Sequence, residues 1–126
     1  MSQDIGDAKA FIADLVARSR AAQKQIEHYS QEQVDALIRA MVWSVARPGM
    51  AEEIAQFTID ETELGNYDGK FLKIQRKTRA TLLDIIHDKS VGIIEEYPER
   101  NIRILAKPLG VIGALAPSTN PEATPV

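Results

Sequence analysis

The run Gly110–Ala116 (GVIGALA) constrains the fold of this chain more than any other feature, because it is apolar on both faces. A strand with one face in water alternates apolar and polar residues, whereas continuous apolar residues are typical of a strand buried in a parallel sheet. Such a strand needs neighbouring strands and crossover helices. Only residues 117–126 follow it, so we expect these 126 residues to be a fragment of a larger α/β domain.

Four helical segments are predicted before this run, at about residues 4–27, 30–47, 50–64 and 68–87. In each segment, apolar residues recur mostly at spacings of three and four, which places them on one face of a helix. The chain is therefore expected to begin with a series of amphipathic helices.

Local sequence patterns define the predicted helix ends. Ser30 and Gln33 fit a capping box at the start of the second helix, where each side chain bonds to the other residue's backbone N–H. Gly65 is the expected left-handed C-cap of the third helix. Asp68 is the expected N-cap of the fourth.

A β-hairpin is predicted after the helices. Its strands are expected at residues 90–97 and 101–107, joined by residues 98–100, which contain a proline. A lone two-stranded hairpin is marginally stable in water, so this one is expected to need a partner surface.

Composition argues against several classes of function. A net charge of -3 and 6% aromatic residues oppose nucleic-acid binding. No stretch approaches the ~18 apolar residues of a membrane span, and the acidic N-terminus is unlike a signal peptide, so we expect a cytoplasmic protein with no membrane partner. There is no cysteine, and the two histidines lack a ligand spacing, so no metal site is expected.

The third and fourth predicted helices carry charges of opposite sign. We expect both charged faces to be solvated and to attract one another across the two helices. The acidic residues are Glu52, Glu53, Asp60, Glu61 and Glu63, and the basic residues are Lys70, Lys73, Arg76, Lys77 and Arg79.

Two short motifs carry the chemical prediction. Residues 108–113 (PLGVIG) lead into residues 117–121 (PSTNP). Together they resemble the segment with which aldehyde dehydrogenases enter their nucleotide-binding domain, and STNP is similar to the PTTNP form of the CoA-acylating members. The hydrolytic members show a PWNFP-like form, with the asparagine one place earlier and a tryptophan that is absent here. The sequence therefore resembles an N-terminal fragment of the acylating branch.

This resemblance implies an α/β parent enzyme, of which this stretch would be N-terminal helices, a β-hairpin and the first strand of a Rossmann-like sheet. Residues 1–89 would form the N-terminal helical part of the nucleotide-binding domain. Residues 90–107 would be the hairpin of the oligomerisation region, through which a homo-oligomer forms. Residues 108–126 would begin the Rossmann-like NAD(P)-binding core.

The resemblance also implies a reaction, in which a small aldehyde is oxidised with NAD or NADP and coenzyme A to an acyl-CoA through a cysteine thiohemiacetal and thioester. Asn120 would be the catalytic residue, because a fixed amide N–H stabilises negative charge developing on the aldehyde oxygen. The cysteine is not among these residues, so this stretch alone is expected to be inactive. The nicotinamide end of the cofactor would lie along Ala116, Pro117, Ser118 and Thr119.

The substrate is open between acetaldehyde, propionaldehyde, succinate semialdehyde and sulfoacetaldehyde, all handled by similar enzymes. Overall likeness slightly favours a small aldehyde such as sulfoacetaldehyde. A different interpretation assigns no catalysis and describes a self-contained helical interaction or oligomerisation module. Asn before Pro is a common turn former, so Asn120 could serve the loop alone. A cooperative, monomeric melt would favour the module, since the fragment interpretation leaves Val111 to Leu115 exposed.

Overall fold

A computed structural model describes residues 2–126, with side chains described from residue 6 onward. The side chain of Ile5, predicted to lie on the apolar stripe of the first helix, falls outside the described part. In chain order the elements are α1 (Ser2–Ile26), α2 (Gln31–Ala46), α3 (Met50–Thr62), α4 (Tyr67–Lys73), a π-helical turn (Ile74–Thr78), α5 (Arg79–Ile85), β1 (Gly92–Tyr97) and β2 (Ile102–Ala106). Within residues 2–126, no helix is both long and apolar enough to cross a bilayer.

Two compact units make up the chain, one comprising Met1–Ser30 and Val91–Gly113, the other Gln31–Ser90 and Ala114–Val126. The first unit contains α1 and the hairpin. The predicted first helix is confirmed, but its apolar side chains remain open to water: Phe11 is 63% exposed and Ile12 53%. This helix therefore draws little stability from the burial of apolar surface.

The predicted hairpin is confirmed. β1 and β2 pair antiparallel, with Tyr97 opposite Ile102 and Gly92 opposite Ala106. Pro98–Arg100 form a short 3-10 turn, and Asn101 then adopts a left-handed conformation at φ 52°. A bulge interrupts the register between Ile93 and Glu95. The exposed apolar side chains of the hairpin are Ile93, Ile94, Ile102, Ile104 and Leu105.

The second unit packs α2, α3, α4 and α5 around a small core. Ala51 and Ala55 of α3 are fully buried against Ile74, which opens the π-helical turn. Ile54 and Phe71 pack around this cluster. Each alanine side chain is only a methyl group, so the backbone of α3 can approach the π-helical turn closely. The side chain of Ile74 fills the space between them.

Two of the predicted helix caps are wrong. The C-cap of α3 is Glu63, in the left-handed region at φ 53°, whereas Gly65 lies in the following loop at φ 83°. The N-cap of α4 is Asn66 rather than Asp68, because the extended Asn66 accepts from the N–H of Gly69 at 2.8 Å through its Oδ1 atom. Asp68 instead lies in the first turn, where a negative charge favours the helix dipole.

The π-helical turn interrupts the single helix predicted for residues 68–87. Within it, the Thr78 hydroxyl donates to the carbonyl of Ile74, a back-bond that competes with the regular helical pattern. The carbonyl oxygen of Ala46 accepts from Gln75 of this turn at 2.9 Å and from Arg79, the first residue of α5, at 3.2 Å. The last carbonyl of α2 would otherwise lack an intrahelical partner.

The strand predicted at residues 110–116 is not formed in this structure, where residues 107–117 belong to no helix or strand. The sheet of the described residues consists of β1 and β2, and neither pairs with this run. A strand apolar on both faces needs a neighbour on each side, and the described chain offers none. The apolar side chains are exposed as the fragment interpretation requires, with Ile112 at 68% and Leu115 at 98%.

Replacing Ile74 by alanine should lower the free energy of unfolding by about 2–5 kcal/mol, because it leaves a cavity in the buried cluster that Ile74 forms with the alanines of α3. Leu83→Ala, at a position 71% exposed, should change it by no more than about 0.5 kcal/mol. Urea denaturation of both variants measures the difference. Equal losses would contradict this placement of the core.

Candidate functional site

The loop that carries the PSTNP motif is attached to α4 by a buried lysine. Lys70, 3% exposed, donates from Nζ to the carbonyl oxygen of Thr119 at 2.7 Å. The same ammonium pairs with Oε2 of Glu122 at 3.5 Å, and the side chain of Glu122 is fully buried. These contacts hold both the backbone and a side chain of the loop against the helix.

The prediction that Lys70 lies on a solvated face opposite the acidic residues of α3 is therefore wrong. Burial of the ammonium is possible because the Thr119 carbonyl and the Glu122 carboxylate replace water. The second carboxylate oxygen, Oε1 of Glu122, is buried and has no hydrogen-bond partner among the described residues. The loop therefore depends on the cation of Lys70 to keep this carboxylate stable in the interior.

Asn120 is half-buried and is fixed through both its backbone and its side chain. Its N–H donates to the carbonyl of Pro117 at 3.2 Å, which closes a turn. Its own carbonyl accepts from the Thr124 hydroxyl at 2.8 Å. The Asn120 Oδ1 atom accepts from Nζ of Lys73 at 2.6 Å, so the side chain is tied to the last residue of α4.

The contact with Lys73 determines which way the amide of Asn120 points. An ammonium has donors and no acceptor, so it must meet the amide oxygen rather than the NH2 group. The opposite end, Nδ2, then points away from the lysine and approaches Thr119 Oγ1 at 3.3 Å, a long contact. An N–H of Nδ2 remains able to donate to another group.

A cleft of about 400 Å³ lies beside this amide, within the second unit. Side chains of α2 and α5 provide its apolar wall, whereas hydroxyl, amide and ammonium groups provide the polar part. A pocket of this size suits a small molecule with one polar end. The lining includes Ile38, Val42, Leu82 and Ile85 on the apolar side, and Lys77, Thr78, Thr81, Asn120 and Thr124 on the polar side.

The remaining predicted site residues lie on the surface of the same loop. Ala116, Pro117, Ser118 and Thr119 are all exposed, and the carbonyl of Thr119 is occupied by the lysine of α4. Their roles stay predictions, as does that of Asn120.

Sequence reasoning did not identify Lys70, Lys73 or Glu122 as parts of this site. The two lysines are three residues apart on one helix, a spacing that places them on the same face. That spacing was visible, but nothing in the sequence shows that this face meets a loop about fifty residues later.

Comparison with known proteins shows similarity over nearly the whole chain. A sulfoacetaldehyde dehydrogenase of Acholeplasma sp is 40% identical over 114 residues, 90% of this chain and 24% of that protein. A succinate-semialdehyde dehydrogenase (acetylating) of Clostridium kluyveri is 44% identical over 91% of this chain and 25% of its own length. The chain is a homologue of acylating aldehyde dehydrogenases. The predicted resemblance is thereby confirmed.

More distant homologues include an aldehyde-alcohol dehydrogenase of Clostridium acetobutylicum, which is 32% identical over 85% of this chain and 12% of that protein. The chain spans about a quarter of the length of the first two curated relatives. No family model matches it.

Replacing Lys70 by methionine keeps most of the side-chain length but leaves Glu122 buried without its cation. The free energy of unfolding should fall by about 3–5 kcal/mol, as measured by chemical denaturation. The double variant Lys70→Met/Glu122→Met should regain most of this loss, because no charge is then left buried. Lys89→Met, at an exposed lysine, is the control. A Lys70→Met protein as stable as this control would contradict the buried pair.

Proposed function

We propose that this chain is part of an NAD(P)- and CoA-dependent acylating aldehyde dehydrogenase. Homologues named as acetylating or acylating aldehyde dehydrogenases align with about nine tenths of the chain, which supports the enzyme class. The observation that carries the proposed site is the orientation of Asn120, whose oxygen is held by Lys73 at 2.6 Å so that its amide N–H groups point elsewhere.

In this proposal Asn120 acts as an electrostatic catalyst. A thiolate that attacks an aldehyde converts its carbonyl oxygen into a centre of developing negative charge. The Nδ2 group of Asn120 would donate to that oxygen, and its donation is stronger in the transition state than in the ground state. The thiolate would come from a cysteine outside these residues, which contain none.

The cofactor would lie along the exposed turn formed by Ala116, Pro117, Ser118 and Thr119. These residues suit that role because they are accessible and directly precede the proposed donor. When bound, NAD(P) supplies the hydride acceptor, and coenzyme A receives the acyl group. This chain's own contribution would be to hold the turn rigid through Lys70 while the side chain of Asn120 faces the aldehyde.

The substrate would be a small aldehyde. The cleft beside Asn120 has a volume of about 400 Å³, enough for an aldehyde of a few carbon atoms. The names of the relatives specify sulfoacetaldehyde and succinate semialdehyde, which are both small.

Removing the amide by Asn120→Ala should lower kcat about 10²- to 10³-fold, because one oxyanion donor is lost, with little change in the KM for NAD(P). The test uses the protein that carries this chain together with the remaining length found in its relatives. NAD(P)H formation is followed with coenzyme A and acetaldehyde, succinate semialdehyde or sulfoacetaldehyde. Lys89→Met is the control. Absence of CoA-dependent oxidation of all three by the parent protein would refute the proposed function.

We also propose that the hairpin at residues 90–107 mediates homo-oligomerisation. Its support is the row of exposed apolar side chains on β1 and β2, since apolar patches of this kind mark protein interfaces. The division into a helical part (1–89), this hairpin and a nucleotide-binding start (108–126) remains a prediction.

The double variant Ile102→Lys/Ile104→Lys, made in the same protein, should shift the assembly toward monomers, because buried lysines without partners are unfavourable in an interface. Sedimentation velocity over a range of protein concentrations measures the shift. Glu99→Lys, in the exposed turn of the hairpin, is the matched control for an added positive charge. An unchanged oligomer in the double variant would exclude the hairpin as the interface.

A further inference from the structure

We propose that Lys73 is a positioning residue whose ammonium sets the orientation of the Asn120 amide. This inference rests on the proposed role of Asn120 and adds a residue from α4 to the reaction machinery. Lys73 acts on Asn120 and does not itself contact the aldehyde.

The Lys73 side chain extends from the end of α4 to the Asn120 amide. Lys73 is the last residue of α4 and is half-buried. The next residue, Ile74, is fully buried in the core against Ala51 and Ala55 of α3. The backbone at Lys73 is therefore held by packing, and its Nζ reaches Asn120 Oδ1 at 2.6 Å.

The chemistry of the two groups makes this contact directional. With the ammonium in place, a flipped amide would turn its NH2 group toward a cation that has no lone pair to accept from it. Without the ammonium, the hydrogen bond that the Asn120 side chain keeps among the described residues is the one of 3.3 Å from Nδ2 to Thr119 Oγ1. That contact works nearly as well in reverse, because the Thr119 hydroxyl can donate to an amide oxygen.

A flipped amide would oppose the reaction. It would direct the Oδ1 lone pairs toward an oxygen that is gaining negative charge, and so replace a stabilising donor by a repulsive acceptor. The Lys73 ammonium also withdraws electron density through Oδ1, which strengthens Nδ2 as a hydrogen-bond donor. Both effects depend on the positive charge at position 73.

Lys70 and Lys73 have separable roles. Lys70 contacts the backbone carbonyl of Thr119 and the carboxylate of Glu122, so it anchors the loop. Lys73 contacts the side-chain oxygen of Asn120. Loss of Lys70 therefore affects folding stability, whereas loss of Lys73 affects the chemical step.

The test compares Lys73→Met, Lys73→Arg, Asn120→Ala and the double variant Lys73→Met/Asn120→Ala in the protein that carries the remaining length found in its relatives. Lys73→Met should lower kcat about 10- to 100-fold, with the KM for NAD(P) unchanged. Lys73→Arg retains the charge and should recover part of the loss. The double variant should be no slower than Asn120→Ala alone, because Lys73 acts only through the amide.

Three outcomes would overturn this assignment. Lys73→Met with the activity of the Lys89→Met control, beside an impaired Asn120→Ala, would leave the proposed function intact and remove Lys73 from it. A double variant much slower than Asn120→Ala would show that Lys73 acts elsewhere. A normal Asn120→Ala would refute the proposed role of the amide and this inference with it.

Thermal melting of each variant separates these effects from unfolding. If Lys73→Met melts early, Lys73→Gln, which keeps the length and polarity, replaces it in the same comparison. Because a glutamine can either donate or accept, it should also fail to fix the amide, and kcat should again fall about 10-fold or more. A Lys73→Gln enzyme with normal kcat would overturn the inference.

Discussion

A buried ammonium, that of Lys70, joins the loop of residues 117–126 to helix α4, and the geometry of the candidate site depends on it. Water cannot replace the contacts of this ammonium, because the side chains of both Lys70 and Glu122 are almost completely buried. Lone buried charges are costly, so loop and helix each require the other. With the loop held in this way, the turn before Asn120 and the amide itself acquire defined positions relative to the neighbouring cleft.

The sequence was sufficient for elements whose cause is local. Helical periodicity located α1, α2 and α3, and alternation with a proline turn located the hairpin. The predictions that were wrong concern features that local sequence does not determine. Asn66 and Asp68 are both good N-caps, and only the backbone conformation selects Asn66. Similarly, charge alone places Lys70 in solvent, whereas its burial follows from a carboxylate fifty-two residues away. Such long-range pairing leaves no local pattern.

The apolar run before the motif presents the opposite case. Its composition indicates an interior strand, yet strands exist only where a neighbour offers hydrogen bonds and apolar cover. In the described residues it has neither, and its side chains are exposed. The motif after it is nevertheless ordered by contacts with α4. The resemblance to the family could thus be recognised from the sequence. The contacts by which two lysines support the Asn120 loop are seen only in the tertiary structure.

The π-helical turn at Ile74–Thr78 makes the number of residues between α4 and α5 structurally important. A π-type turn adds one residue to an α-helix, which changes the phase of everything after it by roughly 100°. The lysines before the turn face the loop, while Gln75 and Arg79 face the end of α2. Substitutions here alter single contacts. A one-residue deletion would instead rotate α5 as a whole and break the contacts either with the loop or with the end of α2. The number of residues between positions 73 and 79 is therefore more strictly constrained than their identities.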